Sequence, residues 1–221
     1  MLQRADSTAN VFLAFPTPIY RFVRPETKGI NDGLRRIVLD REANSHSTAR
    51  SNVGGWQSGY DLLNWPESEI GQLKEWVNEA FGEMMAVQVG PSPIACRLAV
   101  TAWANINRRG DFNRGHTHST NHWSGVYYVD TGQPVEGRPL SGAIEFTDPR
   151  PAIGVYDIPG APQASTWTIT PEPGLMLLFP SWLRHTVLPY EGPGERITIA
   201  FNIRIHSLDL KNPDGTAPSG P

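Results

Sequence analysis

One cysteine, Cys96, is all this chain of 221 residues contains. An internal disulfide is therefore excluded, and a reducing compartment fits. Long hydrophobic runs are missing too: none approaches the roughly 18 apolar residues that cross a bilayer. The opening MLQRADSTANVFLAF lacks the apolar stretch and small-residue cleavage site of a signal peptide. An excess of basic charge is absent, the net charge being −3, so nothing argues for gripping phosphates of a nucleic acid. Neither a Gly-x-Ser-x-Gly elbow nor a phosphate-cradling glycine loop occurs. These absences lead us to expect a cytoplasmic protein without a membrane or nucleic-acid partner.

Turn-forming residues, by contrast, are abundant. Twenty prolines and twenty-one glycines argue against a helical bundle and for short strands joined by turns. No repeat and no linker divides the chain, and its length suffices for one domain with a proper core. Asn10 to Phe22 resembles a strand broken at Pro16 and Pro18, suited to a sheet edge. Lys28 to Asn44 carries Ile30, Leu34, Ile37 and Val38 at helical spacing. Ser51 to Leu63 is too glycine-rich for a helix and predicts a loop with a short strand. Asn64-Trp65-Pro66 opens a second helix over about Glu67 to Val87, with Pro66 in its first turn.

From Ile94 onward the pattern changes to strands. They are expected over Arg97–Asn107, Trp123–Val129, Gly142–Phe146, Ser165–Thr170, Gly174–Phe179 and Arg196–His206. The last of these puts Ile197, Ile199, Phe201, Ile203 and Ile205 on one face. Arg196, Thr198, Asn202 and Arg204 lie on the other, where only Ala200 is apolar. With Trp103, Asn105 and Asn107 alternating likewise, the pattern fits a barrel with an apolar outside under helices and a polar pocket inside. The tail from Asn212 is too polar to fold alone.

Six histidines are present, and three invite attention. His116 and His118 stand one residue apart before the Trp123 strand, so an extended backbone aims both imidazoles one way. His185 follows in LLFPSWLRHTVLP, and Arg196 eleven residues later. His46, His122 and His206 suit surface or structural roles. Cys96 has no cationic neighbour but Arg97 and makes a poor nucleophile. Imidazoles suit Zn, Cu, Fe or Ni alike. Arg196 adds a two-pronged donor matched to a carboxylate, which points to an anionic cosubstrate that chelates the metal.

WANINRRGDFNRGHTHSTNHWSGVYYV, IEFTDPR, GLMLLFPSWLRHTVLPYEG and RITIAFNI together resemble the Fe(II)- and 2-oxoglutarate-dependent oxygenases, in particular uncharacterised bacterial and phage-type members. SNVGGWQS near residue 51 belongs to the same pattern, and the similarity spans roughly residues 10 to 206. The resemblance implies a mainly β, double-stranded β-helix with N-terminal helices packed on one sheet. It implies one domain over 1–211, helical over about 25–90 and β over about 94–206, with 212–221 as a flexible tail. It implies Fe(II), 2-oxoglutarate and dioxygen as cofactor and cosubstrates, hydroxylation as the outcome, and an unidentified substrate. By position, His116, His118 and His185 are the implied metal ligands; Arg196, Thr198, Asn105 and Tyr128 are the implied cosubstrate residues. No catalytic residue beyond the ligands is implied, and a homodimer is compatible.

The departure is His118, which stands where such enzymes carry Asp or Glu. Either the site has three histidines or a carboxylate elsewhere, Asp111 or Glu145, completes it. We favour three histidines, since His116 and His118 need only an extended strand to converge. Two other functions fit the sequence less well. A cupin-type metal enzyme lacks its expected glutamate, since His122 and Trp123 occupy those places. A non-catalytic binding module would use Trp56, Trp103, Trp123, Trp167 and Trp182 for stacking.

Overall fold

Two amphipathic helices, one 3-10 turn (Leu62–Asn64) and thirteen strands make up the described part of the computed structural model, residues 3–4, 12–13, 15–48, 51–90, 94–150 and 165–210. The expected tail and nearly all of the loop Pro149 to Gln163 lie outside the described residues. The first half runs β1 (Gln3–Arg4), β2 (Phe12–Leu13), β3 (Tyr20–Val23), α1 (Lys28–Ala43), β4 (Asn52–Val53), β5 (Trp56–Gln57) and α2 (Ser68–Val89). The second half runs β6 (Ile94–Asn107), β7 (Phe112–His116), β8 (Trp123–Asp130), β9 (Ile144–Thr147) and β10 (Thr166–Ile169). It finishes with β11 (Leu175–Pro180), β12 (His185–Val187) and β13 (Arg196–Leu210). Among the described residues no helix is long and apolar enough to cross a membrane.

Helix α1 buries Leu34, Ile37 and Val38, and α2 buries Ile70, Leu73, Val77, Ala80, Phe81 and Met84, the stripes their spacing predicts. The start of α2 differs from expectation. Pro66 lies before the helix rather than in its first turn, because Glu67 is the N-cap with extended backbone (ψ 143°). Trp65 and Glu67 are committed instead to α1: the Arg41 guanidinium lies 4.4 Å over the Trp65 ring and donates to Glu67 Oε1. Gly90 caps the far end at φ +85°, a conformation that favours glycine.

The strands form a six-stranded sheet, ordered β3-β11-β8-β13-β6-β5, and a five-stranded sheet, ordered β10-β9-β12-β7-β4. From β6 to β13 the chain passes repeatedly between the two, β6, β8, β11 and β13 in the larger and β7, β9, β10 and β12 in the smaller. That alternation is the double-stranded β-helix expected. Strand β3, just after Pro16 and Pro18, takes the edge position where a missing N–H costs no ladder bond.

The period-two pattern of β13 sorts the two cores. Ile197, Ile199, Phe201 and Ile203 join Tyr127, Met176 and Leu178 and the buried stripes of both helices in the larger apolar cluster. A smaller cluster between the sheets contains Val126, Tyr128, Ile144, Phe146, Leu177 and Phe179. Arg196, Thr198 and Asn202 are buried with it, on the inner face of β13. The tryptophans divide accordingly: Trp56 and Trp123 belong to the core, whereas Trp167 and Trp182 are half exposed.

Candidate metal centre

Strand pairing brings the three histidines together. His116 ends β7 and His185 begins β12, directly opposite each other in the ladder. His118 lies two residues beyond β7, where its N–H donates to Ser181 O at 2.8 Å and holds the chain extended. The ring centroids of His116 lie 4.4 Å from those of His185 and 4.8 Å from those of His118. One ligand nitrogen from each ring lies within 4.8 Å of the others. Among the described residues no carboxylate joins this cluster. Asp111 accepts instead from the Arg108 N–H, and Glu145 accepts a long hydrogen bond from Thr168 at 3.5 Å.

Two imidazoles are oriented from behind. His116 Nδ1 lies 2.7 Å from Arg114 O, and His185 Nδ1 lies 2.9 Å from Leu183 O. A carbonyl only accepts, so both Nδ1 atoms carry the proton and both Nε2 atoms keep a lone pair, that of His116 facing Ser51 Oγ at a long 3.5 Å. Burial holds all three histidines neutral at pH 7. The His185 pKa is pushed down to about 3 by burial and by His116, and that of His118 to about 4 by burial and His116. His116 is lowered as well, chiefly by burial. His122 stays apart, its Nδ1 accepting from the Ile205 N–H. His46 and His206 are exposed.

The pocket in front of the histidines encloses about 540 Å³ of empty space, part of it open to solvent. Arg196 forms one end, 1% exposed. Its Nε donates to Gly142 O at 3.0 Å and its Nη1 to Asn107 Oδ1 at 3.1 Å; among the described residues no carboxylate pairs with it. Burial lowers its pKa. Next along the ladder, Asn105, Thr198 and Tyr128 stand side by side on β6, β13 and β8. Tyr128 OH and Asn105 Oδ1 are buried without a hydrogen-bond partner. The guanidinium lies over the Tyr128 ring, 5.3 Å from its centroid. Burial pushes the Tyr128 pKa up to about 12, against the opposing pull of Arg196.

All seven residues singled out in the sequence thus line one pocket. Asn107 and Gly142, which aim the guanidinium, were not singled out. Asn107 was visible on the polar face of its strand, but only the register Arg196↔Asn107 reveals its use. Gly142 O is presented from a φ of +66°, which suits the glycine there.

Residues 101–202 match the family model described as "Putative 2OG-Fe(II) oxygenase". That stretch, just under half of the chain, holds all seven residues singled out in the sequence. No curated protein matches the sequence. Solved structures of the same fold include a Pseudomonas putida prolyl-4-hydroxylase, 14% identical over 86% of this chain and 93% of that one, with a TM-score of 0.62. A prolyl hydroxylase from Trichoplax adhaerens, in complex with a hypoxia inducible factor peptide, is 13% identical over 84% and 83%, TM-score 0.59. HygX from Streptomyces hygroscopicus, with nickel and 2-oxoglutarate bound, is 12% identical over 93% of each chain, TM-score 0.56. At such identities the likeness establishes the fold alone.

The donors fit a first-row divalent ion. Three neutral imidazole nitrogens converge, and imidazole is a good ligand for iron. The far end of the pocket fits a carboxylate: a buried guanidinium without a counter-ion, beside a phenol with nothing to bond.

Proposed function

We propose that this protein is a non-haem Fe(II)- and 2-oxoglutarate-dependent dioxygenase that hydroxylates a substrate and releases succinate and carbon dioxide. The observation that carries the reading is the pairing, in one pocket, of three converging histidines with a buried arginine that lacks a carboxylate. Iron, when bound, supplies the redox chemistry that couples decarboxylation of 2-oxoglutarate by dioxygen to oxidation of a C–H bond.

The chain's own residues bind, orient and exclude water. His116 and His185 offer Nε2 while their Nδ1 protons stay on backbone carbonyls, and His118 supplies the third nitrogen. Arg196 takes the far carboxylate of 2-oxoglutarate through its fork, Thr198 and Tyr128 donate hydroxyl protons to it, and Asn105 lines the same end. With its pKa near 12, Tyr128 keeps that proton at any physiological pH. Phe179 and Phe146, whose rings lie 4.9 and 6.3 Å from His185, keep bulk water from that ligand. A relative of the same fold that holds 2-oxoglutarate supports the assignment. A reducing, cytoplasmic setting suits both the lone cysteine and ferrous iron, and we take residues 1–211 as one working domain.

Anaerobic titration of 2-oxoglutarate into the Fe(II)-loaded protein tests the reading. A weak, saturable visible charge-transfer band is expected, and its loss in Arg196→Ala. Iron bound with no band at any concentration would refute the use of 2-oxoglutarate.

A further inference from the structure

Trp103 is buried to 7% exposure yet belongs to neither apolar cluster. Its ring lines the pocket instead of joining either cluster, so it has aromatic surface to offer there. It points from β6 into the pocket, opposite Ala200 of β13, the one small apolar residue on that strand's inner face. Its ring neighbours are His118, centroid to centroid 5.8 Å, and Tyr60, 5.2 Å away and edge-on at 76°. Tyr60 itself is 41% exposed. The loop that carries it is pinned to the edge of β6 on both sides. Ser58 N–H donates to Ala104 O at 3.0 Å, and Asp61 bridges to Ala102. An exposed tyrosine standing edge-on to a pocket-lining tryptophan, beside a metal-cluster histidine, is an unfilled aromatic corner.

Charge narrows what that corner takes. Among the described residues that line the pocket, Arg196 is the only one with a formal charge. On the reading above it is committed to 2-oxoglutarate. The divalent metal and Arg196 bring three positive charges and the cosubstrate two negative ones; neutral His118, where a carboxylate is usual, adds none. One positive charge is left over, and no described lining carboxylate meets a second cation.

We propose that Trp103 and Tyr60 are the recognition face for the oxidised substrate, and that this face takes an uncharged ring and excludes a cationic one. The inference rests on the oxygenase reading and adds the substrate class to it. An aromatic pair can also cage an ammonium group; the pocket's described lining holds no carboxylate, exposed Asp61 beside Tyr60 lying outside it, and the surplus positive charge argues against that use.

The test uses the full chain loaded with Zn(II) and saturating 2-oxoglutarate, with benzyl alcohol and benzylamine as probes of one shape and different charge. The readout is the Trp103 indole N–H resonance, identified by its disappearance in Trp103→Phe. Benzyl alcohol is expected to shift it saturably, with a dissociation constant of about a millimolar for so small a ligand. Benzylamine should bind at least about tenfold more weakly. Tyr60→Ala, with amide dispersion showing that it folds, should weaken the alcohol about fivefold, the worth of one aromatic contact. Benzylamine binding as tightly as the alcohol, an unchanged affinity in Tyr60→Ala, or no saturable shift while 2-oxoglutarate still binds would each overturn the proposal. Failure of 2-oxoglutarate to bind would instead bring down the oxygenase reading, and this inference with it.

Discussion

Replacing Arg196 with methionine separates function from stability more sharply than any other change. In the protein without its cosubstrate, Arg196 is 1% exposed, and among the described residues its guanidinium donates to Gly142 O and Asn107 Oδ1. Burying an ion costs several kcal/mol after relaxation. Each hydrogen bond from a charged donor returns about 1.5–3 kcal/mol. Methionine has a similar stem, so the packing is largely kept. The charge and its desolvation disappear, while two acceptors lose their donor at about 1–3 kcal/mol each. These contributions nearly cancel, and stability without ligand should stay within about 2 kcal/mol of the parent. Affinity for 2-oxoglutarate should not. Removing one side of a buried charged pair costs about 2–5 kcal/mol, or roughly 30-fold to 4,000-fold in dissociation constant. Urea denaturation measures the first quantity, and anaerobic calorimetric titration of the Fe(II)-loaded variant the second. Arg196→Lys should fall between, since it keeps the charge without the fork. A methionine variant that binds 2-oxoglutarate within about fivefold of the parent would refute the assignment.

Three further outcomes follow from the geometry. Gly125→Ala would set a Cβ 2.7 Å from Leu177 O and into the Phe201 ring; the backbone oxygen cannot yield, so denaturant unfolding should show a loss of about 1–3 kcal/mol. Glu195→Gln breaks the 2.8 Å pair with Arg35 and a longer one with Arg108, but both arginines are over a third exposed. Its cost should be below about 1 kcal/mol, and a tenfold loss of 2-oxoglutarate affinity would show instead that the pair positions the neighbouring Arg196. Tyr127 donates to Asn31 at 2.7 Å, and burial pushes its pKa up to about 12. The folded pKa exceeds the unfolded one, so this contribution is complete below pH 10 and is lost as pH rises towards 12. Tyr127→Phe should flatten the alkaline limb of the stability profile in thermal melts.

Much of the barrel was legible because its signals are local. The inward and outward faces of β13 follow from a period of two, and the helices from apolar stripes. His116 and His118 needed only an extended backbone to converge. Position against other strands was not local and stayed hidden. Nothing in the sequence pairs Arg196 with Asn107, or lays Tyr60 across β6 beside Trp103. The start of α2 was misjudged for the same reason: Pro66 is a fair helix opener by itself, and what decides is the reach of Arg41 from the other helix. Among five candidate stacking tryptophans, composition could not tell Trp56 and Trp123, which join the larger cluster, from Trp103, which lines the pocket.

The electrostatics of the pocket also set an order of assembly. Three imidazoles held neutral by burial present no charge, so a divalent ion meets no repulsion from its ligands and little competition from protons near pH 7. Arg196 alone leaves the interior with one uncompensated positive charge, and a bound dication raises that to three. A dianion is then drawn in by both ends of the pocket at once. Its affinity must therefore rise when metal is present, and by linkage it must raise the affinity for metal by the same factor. Only after it binds does the surplus fall to one charge, in a pocket lined by Trp103, against whose ring Tyr60 stands from outside. An uncharged ring is admitted at that stage without a counter-ion, whereas a cation would meet like charge and no carboxylate. The neutral His118 thus ties metal, cosubstrate and substrate class to a single charge count.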